Sequence, residues 1–237
     1  LVKSSAASDV YKRQSQESFM HKILKTVFIL FLTLTTQISP FLGDLTLRAQ
    51  SKDSIILAGG CFWCVEADFE KVNGVSEVIS GYTGGFVENP TYKQVVKGGT
   101  GHYEAVIIHF DPEIITTKNI LYKFFRSIDP TDAGGQFCDR GHSYKSAIFA
   151  KPNQILIAKN ALLEAEAILG EKIVTPILEV SKFFTAEKYH QDYYKGENLV
   201  LTRFGPIKQK NAYKRYRSAC GRDERLKEVW GKDAFLN

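Results

Sequence analysis

Hydrophobic and polar positions recur with clear periods along the chain from residue 54 onwards. "SIILAGG" (54–60) is a short apolar run that ends in two glycines, which predicts a strand followed by a tight turn. Beyond it the apolar residues have helical spacing and a glycine follows them, which predicts a helix: Val65, Phe69 and Val72, then Gly74. "YEAVIIHF" (103–110) has a period of two and predicts a strand with one face made of Glu104, Val106, Ile108 and Phe110.

Further elements follow along the chain, and no repeat, low-complexity tract or interdomain linker interrupts residues 54–237. "SEVISGYTGG" is predicted as a short strand followed by a glycine-rich turn, "SAIFA" and "IVTPILEV" as strands, and "TAEKYHQDYY" as a short polar and aromatic helix. A longer helix is expected to open at Pro152 and end at Gly170. "TTKNILYKFFRSI" is predicted as a helix whose inward face is Ile120, Leu121, Phe124, Phe125 and Ile128. Strands and helices in this irregular order indicate an α/β or α+β domain with one core over residues 54–237.

The first fifty residues have a different character. Met20 is followed by a short basic region and by an apolar run, Val27 to Leu34, that is too short for a membrane span. We interpret Met20 as the initiator, residues 20–50 as a signal peptide, and residues 1–19 as upstream or non-native sequence. We therefore expect an exported protein, periplasmic or secreted, whose mature chain does not insert into a membrane.

Charge excludes one class of partner. Residues 1–50 contain six of the 31 Lys and Arg residues and three of the 26 Asp and Glu residues, so without them the formal net charge falls from +5 to +2. One basic run remains, "KQKNAYKRYR" (208–217), with no nucleic-acid motif around it. We expect a solvated surface there and no nucleic-acid binding.

The four cysteines stand as one close pair, Cys61 and Cys64, and two single residues, Cys138 and Cys220. A domain of this length can bury a core without disulfides, so the pattern favours redox chemistry over a disulfide framework. A zinc site would need a second close pair of ligands, which neither single cysteine has in its sequence neighbourhood.

Cys61 is placed where a thiol can react. It follows a Gly-Gly turn and opens a predicted helix, whose free N–H groups and dipole favour a thiolate and would lower the thiol pKa. Cys64 lies one helical turn away, within reach for a disulfide. Phe62 and Trp63 are candidates for an apolar pocket wall, although either could equally belong to the core. A buried structural cysteine is the alternative for Cys61.

Several motifs in order, "GCFWC", "GYTGG", "NPTY", "GHYEAV", "DPTDAGGQFCDRGHSYKSAIF", "YHQDYY" and "CGRD", closely resemble those of the A-type peptide methionine sulfoxide reductases. The resemblance runs from about Ile55 to Trp230. It implies a single-domain, two-layer sandwich with a mixed, mostly antiparallel sheet and packed helices.

The resemblance also implies roles for individual residues. Cys61 matches the cysteine that attacks the sulfoxide sulfur, and Glu104 the buried acid that donates a proton to the departing oxygen. A carboxyl on an apolar strand face should have a raised pKa, which suits that role. The family's substrate-binding residues correspond to Phe62 and Trp63 around the S-methyl group, Tyr92 and Tyr144 at the sulfoxide oxygen, and Asp139 behind them. His102 could support the strand of Glu104.

The implied reaction is reduction of methionine-S-sulfoxide, free or in oxidised proteins, which repairs oxidative damage. Cys61 becomes a sulfenic acid, a second thiol condenses with it, and a thioredoxin-like dithiol reduces the disulfide. No metal, flavin or nicotinamide is expected, and we expect a monomer. Cys64 is favoured as the resolving cysteine because it is close in sequence. Cys220 comes next, on a C-terminal tail that could be mobile, and Cys138 is expected to be inert.

Two other functions are compatible with parts of the sequence. A general CxxC thiol–disulfide oxidoreductase also has a strand, a turn and a cysteine pair that opens a helix, but it leaves Glu104, Tyr92 and Tyr144 without a role. A non-catalytic zinc-binding or peptide-binding module is the second alternative, which metal analysis of the purified protein would test.

Overall fold

The computed structural model describes residues 52–235. The predicted upstream segment and signal peptide lie outside these residues. Six strands form the main sheet: β1 (Asp53–Gly59), β2 (Val75–Thr83), β3 (Tyr103–Phe110), β6 (Ser146–Ala150), β7 (Ile177–Glu179) and β8 (Phe184–Thr185). Two small pairs are β4 (Gly135–Gln136) with β5 (Asp139–Arg140), and β9 (Leu199–Thr202) with β10 (Gly205–Lys208).

The main sheet has the strand order β7-β6-β1-β3-β2-β8. Every neighbouring pair is antiparallel except β6 and β7, which are parallel. The parallel pair is joined by a helix, as a parallel connection requires. The predicted fold class, a mixed and mostly antiparallel sheet with packed helices, is confirmed.

Among residues 52–235, six α-helices accompany the strands: α1 (Phe62–Phe69), α2 (Tyr92–Lys97), α3 (Thr117–Arg126), α4 (Ile155–Leu169), α5 (Gln209–Ala219) and α6 (Arg222–Trp230). The main core lies between one sheet face and the helices α1, α3 and α4. The inward residues predicted for α3 and the residue after it, Ile120, Leu121, Phe124, Phe125 and Ile128, are all fully buried. A smaller apolar cluster around Phe149 covers the other face.

The alternation predicted for β3 is confirmed, because Glu104, Val106, Ile108 and Phe110 are all buried at the core face. The predicted boundaries of α4 are also close to those observed. A single 3-10 turn starts at Pro152, the α-helix follows, and Gly170 ends it in the left-handed conformation, at φ 69°.

Two predictions for the last third of the domain were wrong. "TAEKYHQDYY" is not one helix but two separate 3-10 turns, Lys188–His190 and Tyr193–Lys195. Asp192 between them has φ 57°, and its N–H donates to Glu66 Oε1 at 2.9 Å, a tertiary bond that a continuous helix would remove. The C-terminal segment is not a mobile tail either, because it forms α5 and α6 and packs against the domain. Within residues 52–235, no helix has the length and apolar content that crossing a membrane requires.

Candidate active site

Cys61 lies between the end of β1 and the first turn of α1, as the sequence predicts. Gly60 makes this turn at φ +83°, and a Cβ atom there would stand 2.6 Å from Cβ of Gln136. Only glycine meets both conditions, because the left-handed backbone disfavours a side chain and the neighbouring chain leaves no space for one. Cys61 is the N-cap residue of α1, with its side chain free of any capping hydrogen bond.

Glu104 is brought to Cys61 by the strand next to β1. The backbone N–H of Phe62 donates to Glu104 Oε2 at 3.1 Å, while Oε1 is buried without a hydrogen bond inside the described part of the chain. Glu104 is only 1% exposed, and burial raises its pKa to about 8. The carboxyl is therefore mostly protonated at neutral pH and can donate a proton.

A cavity of about 420 Å³ opens between these two residues and the solvent. Cys61 and Glu104 line it together with Phe62, Trp63, Tyr92 and Tyr144. The remaining predicted residues, Asp139, Cys64 and Cys220, also reach this cavity. The fold thus gathers every predicted site residue in one place, although they come from segments separated by up to 159 positions between Cys61 and Cys220.

The aromatic side chains form a packed wall. Phe62 is 1% exposed, and the ring of Trp63 stacks on Tyr193 with centroids 3.7 Å apart and planes 6° from parallel. The indole Nε1–H donates to His190 Nδ1 at 3.1 Å, which fixes the rotation of Trp63. A methyl group or thioether carbon would find apolar surface here.

His190 is a site residue that sequence reasoning missed, although it lies in the quoted segment "YHQDYY". Its ring is 4.3 Å from that of Tyr92 and 5.0 Å from that of Phe62, centroid to centroid. Burial lowers its pKa to about 4, so the imidazole is neutral at pH 7. Since Nδ1 accepts from Trp63, the proton is on Nε2. His190 orders the aromatic wall and contributes no charge.

Tyr92 and Tyr144 place two phenol groups beside Glu104. Tyr92 begins α2, held by a bond from its own N–H to Glu187 Oε1 at 2.9 Å, and Tyr144 ends a 3-10 turn after β5. Burial, and after it the neighbouring Glu104, raises the pKa of both phenols. They stay protonated at physiological pH and can donate hydrogen bonds to an oxygen in the cavity.

The electrostatics of the cysteine pair differ from the sequence prediction. A hydrogen bond with Cys64, burial, and the carboxyls of Glu104 and Asp139 together raise the pKa of Cys61 well above the usual thiol value. The predicted lowering of the Cys61 pKa was wrong, because the contact with Cys64, burial and the nearby carboxyls raise it. The same hydrogen bond lowers the pKa of Cys64.

Two buried arginines that the sequence analysis did not single out act on Cys64. Arg217 binds Asp68 through Nη1 at 2.8 Å, and Arg222 lies 3.8 Å from the same carboxylate. Both line the cavity and favour the thiolate of Cys64 against the cost of burial. Arg222 stands in the quoted motif "CGRD", which was the only sequence signal for it.

Cys138 and Cys220 form a disulfide, with Cα atoms 5.0 Å apart, whereas Cys61 and Cys64 are free. The bond joins the β4–β5 turn to the end of α5. Asp139 Oδ1 lies 3.9 Å from Cys138 Sγ and Oδ2 lies 4.0 Å from Cys220 Sγ. The two sulfurs and the carboxylate are close enough for a metal site, but sulfurs joined in a disulfide are not thiolate ligands.

His102 supports a different element from the one suggested. Its Nδ1 accepts from the N–H of Gly85 at 3.1 Å, and its Nε2 lies 2.7 Å from the carbonyl oxygen of Val87. It therefore holds the glycine-rich loop between β2 and α2.

Comparison with known proteins agrees with this geometry. The family model described as "Peptide methionine sulfoxide reductase" matches residues 53–234. The Vibrio cholerae "Peptide methionine sulfoxide reductase MsrA/MsrB" is 49% identical over 180 residues, which are 75% of this chain and 44% of that protein. The Caulobacter vibrioides "Peptide methionine sulfoxide reductase MsrA 2" is 46% identical over 78% of this chain and 89% of its own length.

The fold is also similar to that of a solved structure. The structure of Mxr1 from Saccharomyces cerevisiae in reduced form matches this chain with a TM-score of 0.59 and 29% sequence identity, over 65% of this chain and 90% of the Mxr1 chain. The family model covers most of this chain, and the Caulobacter relative is matched over nearly its whole length. The chain belongs to the peptide methionine sulfoxide reductase family.

Proposed function

We propose that this member of the family reduces methionine-S-sulfoxide, free or in proteins, with Cys61 as nucleophile and Glu104 as proton donor. One observation carries the proposal. The bond from Phe62 N–H to Glu104 Oε2 holds a carboxyl with a pKa of about 8 beside the thiol of Cys61, the N-cap residue of α1. An acid and a nucleophile thus face the same apolar-walled cavity.

The cavity has complementary surfaces for the two ends of a methyl sulfoxide. Phe62 and Trp63 offer apolar surface to the S-methyl group. The protonated phenols of Tyr92 and Tyr144 and the acid of Glu104 offer hydrogen-bond donors to the sulfoxide oxygen. A substrate held this way presents its sulfur to Cys61.

The chemistry balances without any group from outside the chain. Sulfur of Cys61 forms a bond to the sulfoxide sulfur, and Glu104 protonates the sulfoxide oxygen. The S–O bond of the substrate and the transient S–S bond then break, the oxygen ends on Cys61 as a sulfenic acid, and the sulfide, methionine, leaves. The proton that the Cys61 thiol loses restores Glu104. Two electrons have moved from Cys61 to the substrate sulfur.

A second thiol must then remove the sulfenic acid. Cys64 is hydrogen-bonded to Cys61, and Arg222 and Arg217 favour its thiolate, so Cys64 is the proposed resolving residue. Its attack forms the Cys61–Cys64 disulfide and releases water. A thioredoxin-like dithiol exchanges with that disulfide and regenerates both thiols. Cys220, the other candidate, could act only after its bond to Cys138 had been reduced.

The alternative of a general thiol–disulfide oxidoreductase is supported by the free cysteine pair and its lowered Cys64 pKa. That activity needs neither a protonated carboxyl nor an aromatic wall with two phenols beside the thiol. Burying the carboxyl and the two phenols costs free energy, and both kinds of group have a role in sulfoxide reduction. Sulfoxide reduction therefore explains this site better than thiol–disulfide exchange does.

Export from the cytoplasm is part of the proposal. Its support is the signal-peptide pattern of residues 20–50 and the Cys138–Cys220 disulfide, since structural disulfides persist mainly in oxidising compartments. Fractionation of cells that produce the chain from Met20 would test it. Recovery of the unprocessed protein in the cytoplasm would contradict it.

Turnover of the separated S- and R-sulfoxides of a blocked methionine tests the function itself. Dithiothreitol as reductant makes the assay independent of any protein donor. We expect reduction of the S-epimer with little turnover of the R-epimer. Equal rates on both epimers, or insulin reduction without sulfoxide reduction, would exclude the proposed activity.

A further inference from the structure

The β9–β10 hairpin (199–208) has an apolar outer face exposed to solvent beside the cavity. Leu199 is 71% exposed and Leu201 86% exposed, and Leu201 stands opposite the exposed Pro206. The inner face is different, because Val200 and Ile207 pack into the apolar cluster around Cys61 and Cys64. Adjacent large aliphatic side chains at such exposure often mark a binding surface.

The hairpin is continuous with the active site. Leu201, Thr202 and Arg203 line the same cavity as Cys61. When the oxidised methionine of a polypeptide enters this cavity, the residues on either side of it lie against the surfaces around the cavity mouth. The hairpin is one of these surfaces. In the described part of the chain, β9 and β10 pair only with each other. An edge of this sheet can therefore accept an extended segment.

The charge beside the leucines also points to a partner. Lys208 and Lys210 are paired with Glu197, but Arg203 forms no ion pair with a carboxylate among residues 52–235. Its guanidinium is exposed and lies over the rings of Phe204, at 4.9 Å, and Tyr216, at 5.3 Å. A stacked, unpaired guanidinium is oriented to receive a carboxylate.

We propose that the outer face of this hairpin binds the extended polypeptide on either side of an oxidised methionine. Leu199 and Leu201 contact apolar side chains of that polypeptide, and Arg203 pairs with an acidic one. The inference rests on the proposed sulfoxide reductase activity and names its substrate class, which is unfolded protein with apolar and acidic residues near the methionine. Free methionine sulfoxide occupies only the cavity.

The test compares three substrates with dithiothreitol as reductant. They are N-acetyl methionine-S-sulfoxide amide, a short peptide with its methionine-S-sulfoxide between Leu and Glu, and the same peptide with Ser and Lys instead. We expect the Leu199→Ser variant, at a leucine outside the cavity lining, to lower kcat/KM for the Leu/Glu peptide about tenfold relative to the amide, as lost apolar contact predicts. The matched control is Leu156→Ser on α4, whose leucine is 69% exposed. It should keep the ratio of the two kcat/KM values within about twofold of wild type.

A charge reversal keeps the test independent of folding. Arg203→Glu is expected to move the preference from the Glu-flanked peptide to the Lys-flanked one, a change that a damaged protein cannot imitate. If wild type does not reduce the amide at all, the proposed function fails. If wild type reduces it but the hairpin variants lose amide and peptide activity equally, the docking inference is overturned. A raised KM for a thioredoxin-like donor with unchanged peptide preference would also overturn it, since the hairpin would then serve the reductant.

Discussion

The backbone N–H of Phe62 donates a 3.1 Å hydrogen bond to Glu104 Oε2, and this bond joins the helix of the nucleophile to the strand of the acid across 42 positions of sequence. It places a carboxyl beside Cys61, and burial is the largest influence on the pKa of that carboxyl. The acid is therefore ready to donate at neutral pH, while the raised pKa of Cys61 keeps the thiol protonated.

Glu104→Gln should slow reduction of the blocked S-sulfoxide by about a hundredfold, within the usual range for losing a general acid. The wild-type carboxyl has a pKa raised to about 8, so its advantage is present below that pH and is lost as pH rises through it. The ratio of wild-type to variant rates in single-turnover experiments should therefore fall from about pH 7 to about pH 9. A ratio near one at every pH would remove Glu104 from the mechanism.

Cys61→Ser should abolish single-turnover release of methionine, whereas Cys138→Ser should retain it. Cys61 is the cysteine that follows the turn glycine and caps α1, and it shares a cavity with Glu104. Cys138 is linked to Cys220 and lies in the β4–β5 turn. Each variant is mixed with excess sulfoxide and no reductant, and the methionine that it releases is quantified. Substantial release by Cys61→Ser would contradict the assignment.

The raised pKa of Cys61 predicts slow alkylation of this residue by iodoacetamide at pH 7 in the free enzyme. Because the hydrogen bond with Cys64 is the largest cause, Cys64→Ala should lower the pKa of Cys61 and accelerate its alkylation severalfold. Peptide mass mapping against time and pH measures the rates. Cys138 and Cys220, being joined, serve as the internal unreactive control. Rapid labelling of Cys61 at pH 7 in the wild type would show that its pKa is low, and that the helix N-terminus influences this pKa more than Cys64 and burial do.

The disulfide formed after one turnover without reductant should join Cys61 to Cys64 and leave Cys138–Cys220 intact. The reason is the existing thiol contact and the lowered pKa of Cys64. Mass mapping of wild type and of each Cys→Ser variant identifies the bond. A Cys61–Cys220 bond in the wild type, with Cys64→Ser still turning over on a thioredoxin, would assign the resolving role to Cys220.

The sequence by itself determined the chemistry and the order of the elements around it. The period-two pattern of β3 placed Glu104 on a buried face, and the Gly-Gly turn placed Cys61 at a helix start, both of which the structure confirms. Such features are local, because side-chain alternation and turn conformation depend on a few neighbouring residues. The resemblance to the family added the phenols of Tyr92 and Tyr144, which one cavity now contains together with Phe62 and Trp63.

Only the tertiary structure decided the electrostatics and the cysteine pairing. The pKa of Cys61 depends on Cys64, burial, Glu104 and Asp139 together, and a helix N-terminus considered alone predicts the wrong direction. Cys138 and Cys220 are 82 positions apart, so their bond depends on α5 returning to the β4–β5 turn. The two 3-10 turns around Asp192 exist because Glu66 accepts its N–H from another part of the chain. Through-space distances between remote segments set these properties, and no local sequence pattern encodes such distances.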